Sequence, residues 1–247
     1  MIRLNDFLVV VASGRPGSNF SDPYDCDVYL VDTGDGLVLV DAGVGPEGDA
    51  PLDGVRACGY APSDVRMILL THGHADHSGN ARHLHEATGA PVRAHADCAR
   101  YVSQGDTAAI ALEAAIRAGL YPPDYRFRPC PVEALEDGQR FCVGKTRWTA
   151  LDTPGHCSGH MCYLMERDGR GYLFAGDSIF VGGKITLQNI WDCSIPQYAA
   201  TAEKLCGLSF SALLPSHFGV DLSEGRAHVE KARSIFQSLL VPPQAGR

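Results

Sequence analysis

The chain has 247 residues, 21 basic against 29 acidic for a net charge of −8, and 45% of it is hydrophobic. That balance belongs to an ordinary globular protein rather than a disordered or fibrous one. The absence of a basic block weighs against nucleic acid and against an anionic membrane surface as partners. At about 150 residues per domain the length allows one or two units; a single domain over 1–247 is expected, since layered folds often use this many residues in one unit. The longest N-terminal apolar run, residues 7–12, is too short for a secretory or membrane-spanning segment. Nine scattered cysteines contain no CxxC pair, which points to reduced thiols and a cytoplasmic setting.

In chain order, residues 7–12, 27–31 and 36–40 have strand composition, with Thr33-Gly34-Asp35-Gly36 supplying turn chemistry between the last two. Residues 65–70 form a short apolar run ending at a polar turn, and 79–87 follow with helical spacing, so a strand delivers 71–78 to a loop. Residues 90–94 read as a strand and the Ala-rich 107–118 as a helix, leading into a proline- and aromatic-rich stretch, 121–131. Strands are expected at 146–151, 161–165, 171–175 and 212–215, and helices at 197–205 and 225–240. Strands precede helices in both halves, which favours a sheet sandwich flanked by helices.

The most specific feature is Thr71-His72-Gly73-His74-Ala75-Asp76-His77, three imidazoles and a carboxylate directly after a buried strand. Imidazole and carboxylate are ligands that zinc, iron and manganese accept, and an extended turn aims His72 and His74 one way while Asp76 and His77 address a second point. Further candidates stand in loops at strand ends: His156 after Thr153-Pro154-Gly155, Asp177 after Ala175-Gly176, and His217 after Pro215-Ser216. A carboxylate between two imidazole-rich points can bridge two cations. The bland reading, a solvated His-rich turn and three unrelated residues, accounts for the motif alone but not for the joint pattern. His83, His85, His95 and His228 have no chelating neighbour in sequence and read as ordinary helix or surface residues, and Cys157 as a small apolar side chain. His160 has two readings, a support behind the ligands or a packed strand residue.

Taken in order, Asp41 in Leu39-Val40-Asp41-Ala42-Gly43, the run 72–77, His156, Asp177 and His217 resemble the five motifs of the metallo-β-lactamase superfamily, over residues 28–218. The resemblance implies an α+β fold, a four-layer αββα sandwich with the site at one edge of its two sheets. It implies that His72, His74 and His156 hold one divalent metal, that Asp76, His77 and His217 hold a second, and that Asp177 bridges them. Zinc is the first choice of metal, iron or manganese the alternatives. Asp41 would orient a ligand imidazole through its free N–H. The implied reaction is hydrolysis of a small ester-like substrate, lactone or thioester, by a metal-bridging hydroxide, with Asp76 accepting and passing on a proton.

Within that superfamily, an aspartate at 177 resembles thioesterases and lactonases rather than those lactamases that use cysteine there. Gly176-Asp177-Ser178-Ile179-Phe180 is similar to a glyoxalase II motif, although that family's Cys-Gly-Arg element has no match in Gly182-Gly183-Lys184-Ile185. A glutathione thioesterase proper and a mononuclear iron persulfide-dioxygenase-like oxidoreductase are the alternatives. Several lactonases carry a tyrosine three positions after the bridging aspartate, where this chain has Phe180. Selection of a small-molecule substrate is expected from a lid-like insertion at 99–131 and from 180–198. The candidates to line a pocket are Tyr125, Phe127, Phe180 and Trp191, with Tyr101, Tyr121 and Tyr198 beside them, and Lys184 to anchor a carboxylate. Association into a homodimer is left open.

Overall fold

The apolar runs pair into two sheets in the computed structural model, which describes residues 1–45 and 49–246. The first sheet takes its strands in chain order: β1 (Ile2–Arg3), β2 (Leu8–Ala12), β3 (Val28–Asp32), β4 (Leu37–Val40), β5 (Val65–Leu69), β6 (Val92–His95) and β7 (Glu133–Leu135). It is antiparallel as far as β4 and parallel from β4 onward. The second contains β8 (Arg140–Val143), β9 (Thr146–Asp152), β10 (Met161–Arg167), β11 (Arg170–Gly176) and β12 (Ala212–Pro215), antiparallel except for the parallel β11 and β12. Helices are α1 (Ala50–Ala57), α2 (Ala75–Ser78), α3 (Ala81–Thr88), α4 (Ala96–Gln104), α5 (Leu112–Arg117), α6 (Ile195–Cys206) and α7 (Gly225–Gln237).

Successive strand residues point to opposite faces, and this divides the core into layers. Leu8, Val10, Tyr29, Val31, Val38 and Val40 meet Trp148, Tyr163, Met165, Phe174 and Leu214 between the sheets. The alternate residues Val9, Val11, Leu30, Leu39 and Ile68 pack outward on Leu52 of α1, Leu84 of α3 and Val102 of α4. On the far side Cys162, Leu164 and Leu173 pack on Ala202 and Leu205 of α6 and Val229 of α7. The result is the expected αββα sandwich. Helix α1 can lie this close because Gly54 lacks a Cβ, which would come within 2.5 Å of Val11.

Elements β1, α1, α4, β7 and β8 go beyond the sequence expectation, and within 71–78, expected as a loop, residues 75–78 form the one-turn helix α2. The helix expected at 107–118 is a turn followed by the short α5, with Ala111 at φ +55 between them. Asp106 caps the turn, accepting from Ala109 N–H at 3.0 Å through its side chain, and the turn is closed at the left-handed Ala111, whose N–H donates to Ala108 O at 3.1 Å while Leu112 N–H donates to Thr107 O at 2.9 Å. Helix α7 stops at Gln237, before Leu239 at φ +60.

Strands β4, β5, β9, β11 and β12 end at one shared edge. β9 runs with β11 because both are antiparallel to β10. Cross-sheet hydrogen bonds join these ends: the Tyr163 hydroxyl donates to Leu70 O at 2.8 Å, Met161 N–H to Thr71 O at 2.7 Å, and Ser216 Oγ to Asp41 at 2.9 Å. No helix among the described residues is long and apolar enough to cross a membrane, and all nine cysteines are unpaired.

Candidate metal centre

Each chemistry-bearing residue sits just beyond a strand end, where the chain leaves the sheet ladder and a polar side chain can turn inward. Asp41 follows β4, His72 to His77 follow β5, His156 follows β9, Asp177 follows β11 and His217 follows β12. His72, His77, His156 and Asp41 are fully buried, so each needs a polar partner or an ion.

Two groups form. In the first, His74 Nδ1 lies 3.0 Å from His72 Nε2 and 3.0 Å from His156 Nε2. The other ring nitrogens are engaged on the far side, His72 Nδ1 with Thr71 Oγ1 at 3.1 Å and His156 Nδ1 with Thr186 O at 3.4 Å. Assigned from this network, the inward nitrogens of His72 and His156 carry lone pairs. Burial and the neighbouring imidazoles hold His72 and His156 well below the usual histidine range, and burial takes His74 to about 4. Three converging neutral imidazoles at this spacing resemble a tetrahedral ligand set, whose nitrogens lie about 3.3 Å apart around zinc.

In the second group, His77 Nε2 lies 3.4 Å from Asp76 Oδ2 and 3.5 Å from Asp177 Oδ1, and His217 Nε2 lies 3.2 Å and 3.7 Å from the same two oxygens. Burial opposes charge on His77, but the acidic groups around it, Cys26, Asp76, Asp41 and Asp177, outweigh that and raise its pKa. Burial raises Asp177. His77 Nε2 and Asp177 Oδ1 have no hydrogen-bond partner among the described residues, and both point to the centre of this group. Asp177 spans the two: Oδ1 faces His77 and His217 while Oδ2 lies 3.7 Å from His156 Nε2. Orphaned buried atoms and a mixed imidazole and carboxylate donor set are what a divalent cation requires, so the residues fit a metal at each point. The thiol of Cys157 also comes within 4.8 Å of His72 and His74, but burial pushes it well up and favours the neutral form.

Asp41 and His160 support this cluster from behind. Asp41 accepts from Thr71 N–H at 2.7 Å, Ser216 Oγ at 2.9 Å and His77 Nδ1 at 2.9 Å, which turns His77 Nε2 inward. His160 Nε2 accepts the Asp177 N–H at 3.1 Å, and a Cβ at Gly176 would stand 2.6 Å from that nitrogen. Two tyrosines that the sequence offers only as pocket aromatics prove more specific. The Tyr121 hydroxyl donates to Asp76 Oδ1 at 2.7 Å and accepts from Asp76 N–H at 3.2 Å. The Tyr198 hydroxyl donates to Thr186 O at 2.9 Å and lies 3.3 Å from His156 Nδ1.

A cavity of about 860 Å³ opens over His74, Asp76, Asp177 and His217, walled by Ile110, Leu120 and the alanines of α5, by Tyr121, and by Gln188 to Ile190. The five residues expected to contact substrate lie elsewhere. Tyr125 is buried and its hydroxyl donates to Val44 O at 2.8 Å, while Phe127 packs against the core. Phe180 is fully buried with its ring 6.5 Å from His217. Lys184 pairs through its backbone with Phe180 and does not line the cavity. Trp191 is 63% exposed, its indole N–H donating to Ala109 O at 3.2 Å, on the outer side of the wall. For the four aromatics the expectation rests on apolar type, which alone does not distinguish a pocket wall from a core, and for Lys184 it rests on charge alone. The stretch 99–131 divides: 99–104 completes the core helix α4, and 110–121 faces the cavity.

A model of the metallo-beta-lactamase superfamily matches residues 21–217. The chain is 28% identical over 211 residues to the lactamase-like protein vrtG of Penicillium aethiopicum, covering 84% of this chain and 55% of that one. It is 26% identical over 220 residues to an atrochrysone carboxyl ACP thioesterase of Aspergillus fumigatus, with coverages of 88% and 58%. It is 34% identical over 120 residues to the probable polyketide biosynthesis zinc-dependent hydrolase BaeB of Bacillus velezensis, with coverages of 49% and 41%. The chain therefore spans only about half the length of these curated relatives. A metallo-beta-lactamase family protein from Thermus thermophilus superposes with a TM-score of 0.73 at 22% identity, covering 96% of this chain and 81% of that one, which shows a shared fold.

Proposed function

The chain belongs to the metallo-beta-lactamase superfamily, and on that premise we propose that it is a binuclear metal-dependent hydrolase acting on an acyl thioester. The observation that carries the two-metal reading is Asp177, whose two oxygens face different imidazole sets. The thioester is preferred to a lactone because relatives are named thioesterases, and because Phe180 is buried and offers no hydroxyl toward the cavity. Zinc fits the ligand set and the name of one relative.

Divalent cations bound here supply Lewis acidity and lower the pKa of water. The chain's own residues do the rest. His72, His74 and His156 stay neutral through burial and present lone pairs. Asp41 holds His77 through Nδ1 and so turns its Nε2 toward the site. Asp76 Oδ2 faces the site while Tyr121 holds Oδ1, so this carboxylate is positioned to take a proton from attacking water and return it to the departing sulfur. The walls at 110–121 and 188–190 shield the acyl group from solvent.

The test is thiol release from simple acyl thioesters beside ring opening of lactones, before and after chelation and zinc return. Thioester turnover that is lost with chelator and restored by zinc is expected. Lactone opening without thiol release, or a single tightly bound iron with oxygen consumption on persulfide, contradicts the proposal.

A further inference from the structure

We propose that the substrate's thiol arm carries a phosphate: the cavity takes an acyl phosphopantetheine thioester, with Arg15 and Arg117 on the phosphate and the alanine-faced wall of α5 along the acyl chain. This rests on the thioester reading. Among the described residues, and apart from histidine, Arg15 and Arg117 are the only cationic residues lining the cavity, and its only carboxylates are Asp76 and Asp177. Both carboxylates are already engaged, Asp76 by Tyr121, His77 and His217 and Asp177 by the imidazoles. Among the described residues neither arginine joins the ion pairs that occupy Arg56, Arg82, Arg93 and Arg226. In a chain of net charge −8, two arginines without carboxylate partners among the described residues thus line a cavity that also takes in His74, Asp76, Asp177 and His217.

Their backbones are fixed although their side chains are exposed. Arg15 N–H donates to Pro23 O at 3.0 Å, Gly14 N–H to Asp25 O at 3.1 Å, and Phe218 N–H to Pro16 O at 3.0 Å, which ties the Arg15 loop to the residue after His217. Arg117 ends α5, where Ala118 N–H donates to Ala114 O and Leu120 N–H to Ala115 O, each at 3.0 Å. The same helix and its flanks offer Ala111, Ala114, Ala115 and Ala118 to the cavity, between Ile110 and Leu120. Small side chains leave width beside an apolar surface, which suits an acyl chain. A small neutral ester or lactone would leave both cations unused and much of a cavity of about 860 Å³ unfilled. Guanidinium is the group best matched to phosphate oxygens. Phosphopantetheine combines a thioester, a polar arm and a phosphate, and occurs both free, as in coenzyme A, and on carrier proteins.

The test is calorimetric binding of inert S-alkyl thioethers of pantetheine and of phosphopantetheine to the full chain, at low and high salt. The phosphate should tighten binding about tenfold or more at low salt and less at high salt, and R15Q/R117Q should bind both alike while its circular dichroism matches wild type. Equal affinities in wild type, discrimination retained in the double variant, or binding of neither thioether overturns the inference. Coenzyme A and carrier-borne thioethers identify the source, tighter binding of either than of the phosphate-free compound supporting the proposal. Thiol release from acyl pantetheine without phosphate preference would overturn this inference and leave the thioester reading standing. Phosphate-dependent binding without thiol release from the matching thioester would do the reverse.

Discussion

Asp41 carries three tasks on two oxygens: it closes the end of β5 through Thr71, holds Ser216 from the other sheet, and points His77 inward. An asparagine there presents an N–H₂ where an acceptor is required, so Asp41→Asn should weaken metal binding by roughly 10- to 100-fold in a chelator competition; unchanged affinity would show that His77 is oriented by other contacts. Tyr121 acts one step further out, on the oxygen of Asp76 that faces away from His77 and His217. Tyr121→Phe keeps the ring and removes one charge-assisted hydrogen bond, and should lower kcat by about tenfold, with KM and metal content nearly unchanged. A fall in metal content instead would make Tyr121 a support for binding alone. The candidate metal ligands were legible because four of them are clustered in sequence and the others each follow a strand end. Tyr121 and Tyr198 were legible only as aromatics, since their partners Asp76 and His156 lie 45 and 42 positions away.

The elements around the site separate wall from core. Tyr125 and Phe127 pack beneath the cavity wall rather than in it, so Tyr125→Ala should cost about 3 kcal/mol of stability, read by denaturant unfolding, and leave the order of substrate preference intact. A reordered preference with unchanged stability would return Tyr125 to the substrate. The turn that leads into α7 is held by one carboxylate: Asp221 accepts from Ser223 and Glu224 N–H at 2.8 Å each and pairs with His228 of that helix at 3.0 Å. These backbone donors hold Asp221 at about 2, so its stabilisation is present above the unfolded value near 4 and is lost as pH falls through 2. Asp221→Ala should cost about 1–2 kcal/mol at neutral pH and under about 0.5 kcal/mol near pH 2, a difference that thermal melts at both pH values measure. The sequence concealed several elements for identifiable reasons. Helix α4 is capped by His95 Nδ1, which accepts from Asp97 N–H at 3.1 Å, a residue type that carries no capping signal. Strands β7 and β8 are short, and their exposed Ala134 and Cys142 are of apolar type, so no alternation of apolar and polar residues marks them in the sequence. They are strands because β6 and β9 offer them an edge.

At the scale of the whole molecule, both sheets deliver their strand ends to one edge, and that edge accumulates buried charge. Burial takes Asp25, beside this edge, up to about 6. Its folded form binds more protons than its unfolded form between about pH 4 and 6, so its contribution to stability falls as pH rises through that window. Asp25→Asn should therefore become more stable relative to wild type by about 1–3 kcal/mol between pH 4 and 7; parallel stability curves would contradict this. The layered sandwich was legible from the strand runs and their order, and so were the two segments that wall the cavity, within 99–131 and 180–198; which of their residues face it was not, because Arg15, α5 and Gln188 to Ile190 meet only after both sheets have packed. The most direct measurement of the central claim is the metal content of Asp177→Ala beside wild type, read with thiol release from an acyl thioester. Wild type should carry about two divalent metals per chain, and the variant about one with most turnover lost. Two metals and near-normal kcat in the variant would contradict a centre bridged by Asp177.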